Sequence, residues 1–152
     1  SSDVCSSDLV ELTRLLLPRL ACEQKAQIVF VTSGLALAPK RSSPIYCASK
    51  AAVISCCESL RGELKPHGVQ VTTIAPGYVA TPLTARNRYP MPFLMQPRDF
   101  AEQALHAIDA GVGFRVIPRP MAWVSRVLRV LPDGWLDRLL KGRPRKHRHS
   151  ER

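Results

Sequence analysis

The chain of 152 residues is long enough for one domain with a hydrophobic core, and its 45% hydrophobic and 22% charged residues are typical of a globular protein. No apolar run approaches the ~20 residues that span a bilayer, and the polar first ten residues do not resemble a secretion signal. Five cysteines without a CxxC pair, and without histidines at zinc spacing, predict no metal site and indicate reduced thiols in a cytoplasmic protein.

The formal net charge of +10 is unevenly distributed along the chain. Residues 141–152 contain six Lys or Arg residues and one Glu, which predicts a solvated, disordered basic tail. The alternative is a tail that binds nucleic acid or anionic lipid. Since no aromatic residues are interleaved with the basic ones and no recognition-helix pattern is present, we expect no nucleic-acid partner.

Residues 1–9 read Ser-Ser-Asp-Val-Cys-Ser-Ser-Asp-Leu, and no initiator Met precedes them. All nine positions resemble the translation, in one reading frame, of a common sequencing-library adapter. We interpret them as a non-native segment; the alternative is a natural polar N-terminus. The native domain is then expected to occupy residues 10–140 and to be truncated at its N-terminus.

The first half of the chain predicts a helix, a strand and a loop. Leucines recur at helical spacing over residues 10–20, which predicts a helix. Residues 28–31 are a continuous apolar run rich in β-branched side chains, which favours a strand buried on both faces of a parallel sheet. Residues 32–44 are rich in Gly, Pro, Ser and basic residues and predict a loop.

Residues 45–65 are the clearest helix, and three faces can be assigned to it. One face is a mainly apolar stripe at i, i+3 and i+4 spacing, formed by Tyr46, Lys50, Val53, Cys57, Leu60 and Leu64. A second face carries small residues that would let another helix or a second subunit approach closely, namely Ala48, Ala52, Ser55, Ser59 and Gly62. The third face, with Glu58, Arg61 and Lys65, is expected to be solvated.

A second strand is predicted over residues 69–75 and is followed by Pro76-Gly77. The order helix, strand, helix, strand with short links predicts an α/β fold with a partial doubly wound parallel sheet, Rossmann-like in type. Ligands of such sheets bind beyond the carboxyl ends of the strands. Ser33 and Gly77 both follow strands, so we expect both at that edge.

The C-terminal third predicts a lid and further helices. Residues 82–97 are rich in Pro and Met and favour a long loop or short lid, and they are followed by a helix over 98–110 and a strand over 114–117. Residues 121–131 form an amphipathic helix, and a second short helix is predicted over 133–140. Three interpretations of the 121–131 helix stay open: it lies on a membrane surface, closes the substrate pocket, or packs on the core.

Three side chains carry the chemistry. Tyr46 and Lys50 are four residues apart and share a helix face. A Lys ammonium stabilises a neighbouring phenolate, so that a tyrosine can serve as a general acid or base near working pH. Ser33 follows a strand thirteen residues upstream of Tyr46, and its hydroxyl can donate a hydrogen bond to a substrate oxygen. A Tyr-x-x-x-Lys pair alone is weak evidence, because it also occurs by chance on surface helices.

Taken in order, the strand with Ser33, the segment Tyr-Cys-Ala-Ser-Lys at 46–50, the second strand and Pro76-Gly77 resemble the short-chain dehydrogenase/reductase family. The resemblance covers residues 10–118 and is strongest over 28–84. It implies an NAD(P)-dependent oxidoreductase that moves a hydride between a nicotinamide and a carbonyl or alcohol substrate. It further implies that Ser33, Tyr46 and Lys50 are catalytic.

The same resemblance implies the cofactor contacts and partners. Tyr46, Lys50, Pro76, Gly77, Val79 and Thr81 would bind NADP or NAD. Residues after the Pro-Gly turn would cover a small-molecule substrate, and the apolar side chains of this segment favour an apolar one. A homo-oligomer through the 46–65 helix is implied, and peripheral membrane contact is an open alternative for a cytoplasmic protein. A non-catalytic member that uses the fold to bind a nucleotide or partner is the rival interpretation.

Two departures from the family pattern limit what the chain is expected to do alone. The phosphate-binding Gly-rich turn is absent, since Gly111-Val112-Gly113 lacks the third Gly and the preceding strand, and the residue that selects NAD or NADP is absent too. The family's catalytic Asn would fall near Cys5 or Ser6. We therefore expect the activity to belong to the intact parent protein.

Overall fold

The computed structural model describes residues 2–23, 25–37, 44–85, 87, 90–132, 134, 135 and 138. The helices and strands follow the predicted order closely. They are α1 (Ser2–Leu20), β1 (Ala26–Val31), α2 (Pro44–Leu64), β2 (Val69–Pro76), α3 (Pro82–Ala85), α4 (Pro97–Asp109), β3 (Phe114–Ile117) and α5 (Arg119–Val130). The predicted helix over 133–140 and the basic tail over 141–152 fall largely or wholly outside the described residues.

Helix α1 begins at Ser2 rather than at residue 10, because the helical conformation continues through the segment interpreted above as non-native. Thr13 donates from Oγ1 to the Leu9 carbonyl at 2.7 Å, and Leu9 packs against the core below α1. The sequence interpretation of residues 1–9 stays a prediction, since a helix can form over either kind of segment.

The sheet has three parallel strands in the order β1-β2-β3. Strand β2 is central. Its pairing with β1 begins at Ala26–Val69, and its pairing with β3 on the other side ends at Pro76–Ile117. Since both its neighbours are parallel and both its faces are covered, residues 71–75 are buried without interruption. The predicted α/β fold with a parallel sheet is confirmed.

Helices cover both faces of the sheet, as a doubly wound arrangement requires. On one face α1 and α2 pack over a cluster whose buried members are Ala26, Phe30, Val53, Cys57, Leu64, Val69 and Val71. On the other face α4 packs over a cluster formed by Ile74, Ala107 and Ile117. Alternation along β2 sends neighbouring side chains to opposite faces, which is why Val71 and Ile74 belong to different clusters.

The predicted solvated face of α2 is exposed at Glu58 and Lys65 but wrong at Arg61. Arg61 was placed with the solvated charges of α2, but its side chain folds over Gly113, where an added Cβ would lie 2.8 Å from the Arg61 Cδ. Its Nη1 atom is buried and, within the described part of the chain, has no hydrogen-bond partner. The helical wheel could not show this, because the residue that Arg61 covers lies beyond β2 in the sequence.

Candidate active site

The carboxyl ends of β1 and β2 meet at one edge of the sheet. Beyond β1 the Thr32 N–H donates to the Ile74 carbonyl at 2.8 Å, and beyond β2 the Gly77 N–H donates to the Ile117 carbonyl at 2.7 Å. A Cβ added to Gly34 would lie 3.2 Å from the Pro76 carbonyl oxygen. The turn after Ser33 therefore touches the end of β2, and the expected meeting of the two strand ends is observed.

Ser33 is nearly buried at this edge and caps the 3-10 turn Gly34–Ala36. Its Oγ accepts a hydrogen bond from the Leu35 N–H at 3.2 Å, and its own N–H donates to the Thr32 Oγ1. Because the Oγ is used as an acceptor here, its hydroxyl hydrogen is left to serve as a donor. A substrate carbonyl oxygen would need such a hydrogen-bond donor.

Tyr46 and Lys50 lie in the first turns of α2, against which the turn after Ser33 packs. The Lys50 Nζ lies 5.9 Å from the centroid of the Tyr46 ring, so the predicted shared face is observed. Tyr46 is 37% exposed, which leaves the phenol accessible to a bound molecule. Between the two, Ser49 is buried and donates from Oγ to the Tyr46 carbonyl at 3.0 Å.

The loop over 76–81 is held in place by a segment far along the chain. Val79 forms an isolated parallel bridge with Met95: the Ala80 N–H donates to the Met95 carbonyl at 2.8 Å, and the Met95 N–H donates to the Tyr78 carbonyl at 2.9 Å. Thr81 begins α3 and exchanges hydrogen bonds with Thr84. The predicted cofactor contacts thus belong to a loop of defined shape.

Gly77 is a position where close approach requires glycine. An added Cβ there would lie 2.6 Å from the Met121 Sδ and 3.1 Å from the Pro118 Cδ. The same methionine lies near Gly34, whose added Cβ would be 3.4 Å from the Met121 Cε. Met121 of α5 therefore packs over both strand-end turns.

Three residues of this site were missed by sequence reasoning: Thr84, Met95 and Met121. Thr84 had a local signal, since Thr-x-x-Thr before a short helix is a capping pattern. Met95 acts through its backbone and Met121 by packing across the sheet edge, so neither had a local signal. Of the three interpretations of the 121–131 helix, packing on the core is observed for the side of α5 that carries Met121.

A groove of about 600 Å³ lies beside the site between α2 and α5, with β3 below it. Leu37, which follows the turn after Ser33, lines one end. The rim carries three cationic side chains, Arg115, Arg119 and Arg126, and one carboxylate, Glu58. In the described residues no group of three or more His, Cys, Asp or Glu side chains is arranged to hold a metal ion.

Comparison with known proteins decides the family. The sequence pattern of the short chain dehydrogenases matches residues 3–91. The chain belongs to this family. The matched stretch includes the Ser33 turn, the Tyr46–Lys50 pair and the whole loop over 76–81.

Known proteins resemble this short-chain dehydrogenase chain in sequence and in fold. It is 36% identical over 122 residues to an uncharacterized oxidoreductase of Myxococcus xanthus, covering 80% of this chain and 48% of that protein. A short-chain dehydrogenase of Burkholderia cenocepacia, solved with NADP, matches with a TM-score of 0.77 at 27% identity, over 91% of this chain and 57% of that one. A 3-ketoacyl-(acyl-carrier-protein) reductase of Brucella melitensis, solved with NADH, matches with a TM-score of 0.55 at 27% identity, over 69% and 49% of the two chains.

The chain spans about half the length of the curated relatives that it matches, for example 48% of the Myxococcus protein. Val31 is 56% exposed although it shares a sheet face with Ile74, its partner in β2, so α4 does not extend over this end of β1. Apolar side chains on both faces are typical of an internal strand of a parallel sheet.

Proposed function

We propose that the protein containing this chain is an NAD(P)-dependent oxidoreductase of the short-chain type, which transfers a hydride between nicotinamide and a carbonyl or alcohol substrate. The observation that supports this most directly is the Tyr46–Lys50 pair, which shares one face of α2, the helix against which the turn after Ser33 packs. A general acid, a cation next to it and a hydroxyl donor are the parts that carbonyl reduction needs.

In the reductive direction Tyr46 gives its phenolic proton to the substrate oxygen as that oxygen gains negative charge. The Lys50 ammonium favours the phenolate that results, because opposite charges a few ångströms apart stabilise one another. The Ser33 hydroxyl donates a hydrogen bond to the same oxygen and orients the carbonyl. In the oxidative direction the tyrosinate removes the proton from the alcohol.

The loop over 76–81 offers hydrogen-bond donors that suit a nicotinamide cofactor. The Tyr78 carbonyl accepts a hydrogen bond from the Met95 N–H. In a trans peptide the N–H points opposite to the carbonyl, so the Val79 N–H points away from Met95 and is left to donate to a carboxamide oxygen. Val79 and Thr81 would hold the carboxamide side, Pro76 and Gly77 the ring face, and Tyr46 and Lys50 the ribose. When bound, NADPH or NADH would supply the hydride for carbonyl reduction, and NADP or NAD would accept it in alcohol oxidation; both cofactors are included in the proposal.

The test is NADPH and NADH oxidation by the full-length protein against a panel of ketones and aldehydes, with Tyr46→Phe alongside. We expect a loss of about 10²- to 10⁴-fold in kcat for the variant, with cofactor affinity retained. Turnover that is unchanged in Tyr46→Phe would rule out the assigned acid. Tight cofactor binding without turnover on any substrate would instead favour a binding protein of the same fold.

We also propose a homo-oligomer through α2. The small residues of its second face are all exposed in the single chain, namely Ala48, Ala52, Ser55, Ser59 and Gly62. Ala52→Arg should lower the mass of the full-length protein measured by light scattering, whereas Leu105→Arg, an exposed position on α4, should not. A wild-type protein that is monomeric at micromolar concentration would overturn this proposal.

We further propose that α5 rests on the surface of an anionic membrane, on the cytoplasmic side. No helix in the described ranges is long and apolar enough to cross a bilayer, but the outer face of α5 is apolar. Trp123, Val127 and Val130 form a stripe along it, and Trp123 is 72% and Val130 83% exposed. Arg119 and Arg126 flank this stripe, which is the composition of an interfacial helix.

An anionic lipid surface suits this face better than a second copy of the chain. The sequence of α5 contains arginines but no Asp or Glu, so pairing two such helices would bring like charges together. The full-length protein should sediment with vesicles containing phosphatidylserine at low salt and much less with pure phosphatidylcholine. Val127→Asp should abolish sedimentation and Leu105→Asp should not; a wild-type protein that stays in the supernatant would refute the proposal.

A further inference from the structure

Both peptide units that flank Val79 are held by hydrogen bonds. The 78–79 unit is held through the Tyr78 carbonyl, which accepts from the Met95 N–H at 2.9 Å. The 79–80 unit is held at both ends, because the Ala80 N–H donates to the Met95 carbonyl at 2.8 Å and the Val79 carbonyl accepts from the Thr84 Oγ1 at 2.7 Å. The remaining polar group, the Val79 N–H, has no hydrogen-bond partner among the described residues.

Thr84 is the side chain in this set of bonds. Besides donating to Val79, its Oγ1 accepts from the Thr81 N–H at 2.8 Å and lies 3.0 Å from the Thr81 carbonyl. In return the Thr84 N–H donates to the Thr81 Oγ1 at 3.3 Å. One hydroxyl thus connects the peptide after Val79 to the peptide before Thr81.

A hydroxyl that accepts from one peptide and donates to the next fixes the backbone between them. Without it the Val79 carbonyl and the Thr81 N–H would both turn towards water, and the loop would lose two of the bonds that define its shape. Met95 would still hold the loop from the other side through its backbone. The bond from the Met95 N–H to the Tyr78 carbonyl aims the Val79 N–H, whereas Thr84 sets the 79–81 backbone and the position of Thr81 more than the stability of the whole domain.

We propose that Thr84 is a positioning residue for the cofactor: its hydroxyl holds the 79–81 backbone in the conformation in which Thr81, beside Val79, faces the nicotinamide carboxamide. This rests on the proposed function. The Thr84 Oγ1 is occupied by bonds to the loop, so we expect its removal to act on cofactor affinity through Thr81. The chemical step, which Tyr46 carries, is affected less.

The experiment uses the full-length protein with three variants. Thr84→Val keeps the branched shape and removes the hydroxyl, Thr84→Ser keeps the hydroxyl, and Leu105→Ala alters an exposed residue of α4, outside the loop and the lid, as the control. Cofactor Kd is measured by the change in NADPH fluorescence, KM and kcat by steady-state kinetics, and folding by the urea midpoint.

We expect Thr84→Val to raise Kd and KM for the cofactor by about tenfold, with kcat changed by less than about threefold. Thr84→Ser should restore wild-type affinity, and Leu105→Ala should leave it unchanged. A Thr84→Val protein that binds NADPH as tightly as the wild type would overturn the positioning role, while Tyr46-dependent turnover would leave the proposed function standing. A wild-type protein that binds neither NADPH nor NADH would overturn both.

Discussion

The Nζ of Lys50 lies 5.9 Å from the centroid of the Tyr46 ring, one helical turn away on the same face of α2. A helix brings residues four apart to the same face, so this relationship needs no tertiary contact. What the tertiary structure adds is the setting of the helix: the pair lies in the first turns of α2, and the turn that follows Ser33 packs against α2.

Replacing Lys50 with Met should reduce activity by removing the charge that favours the Tyr46 phenolate. We expect a loss of about ten- to a thousandfold in kcat. Steady-state kinetics of the wild type and Lys50→Met check this. Unchanged kcat, with only KM for the cofactor raised, would show that Lys50 binds cofactor without assisting Tyr46.

Ser33→Ala should separate the role of Ser33 in catalysis from its role in the fold. The variant loses the cap of a short 3-10 turn, which costs about 1 kcal/mol of unfolding free energy, and it loses the donor to the substrate oxygen. We expect kcat to fall by about 10²- to 10³-fold. Urea unfolding and steady-state kinetics measure the two effects, and Ser33→Thr, which keeps a hydroxyl, should retain more activity.

Gly77→Ala should strain the strand-end turn. Its added Cβ would lie 2.6 Å from the Met121 Sδ and 3.1 Å from the Pro118 Cδ, so the Met121 side chain or the turn must shift, at a cost of about 1–3 kcal/mol of unfolding free energy. Gly62→Ala on α2 is the matched control: its added Cβ would meet no atom within 4 Å, and helix propensity predicts a gain of about 0.5–1 kcal/mol.

The glycine prediction can be checked by rescue. Shortening the neighbour with Met121→Ala in the Gly77→Ala background should recover part of the lost stability, because the atom that the new Cβ meets is gone. Thermal unfolding of the single and double variants measures this coupling. Equal loss in both backgrounds would mean that Met121 does not restrict Gly77.

Cys57 should make stability fall at alkaline pH. Burial raises the pKa of this thiol from an ordinary value of 9.0 to about 11. The unfolded chain therefore releases the proton first, so the contribution of the buried thiol is complete below about pH 9 and is lost as pH rises towards 11. The urea midpoint should fall over this range less steeply in Cys57→Ala than in the wild type.

The exposed Cys22 provides the control for that experiment. Cys22→Ala should leave the alkaline slope unchanged. Iodoacetamide should label Cys22 quickly and Cys57 only on unfolding, since the thiolate is the reactive form and Cys57 is buried. Rapid labelling of Cys57 in the folded protein would contradict its assignment to the core.

Local patterns determined much of this protein. Periodicity predicted β3 at its observed bounds and α2, β2 and α4 to within a residue or so, because helix and strand spacing depend on neighbouring residues alone. The Tyr46–Lys50 pair followed from helix geometry, and the alternation of helices and strands predicted the parallel sheet. The order of these motifs was enough to predict the family that the comparison then showed.

Only the tertiary structure decided which distant segments complete the site. Met95 holds the loop around Val79, Met121 packs over Gly77, and Arg61 turns from its predicted solvated face onto Gly113. Each of these contacts joins residues more than ten positions apart, so no periodicity records it. These contacts form only once the fold is complete. The parallel strands then bring their carboxyl ends to one edge of the sheet, and segments that are distant in sequence meet there.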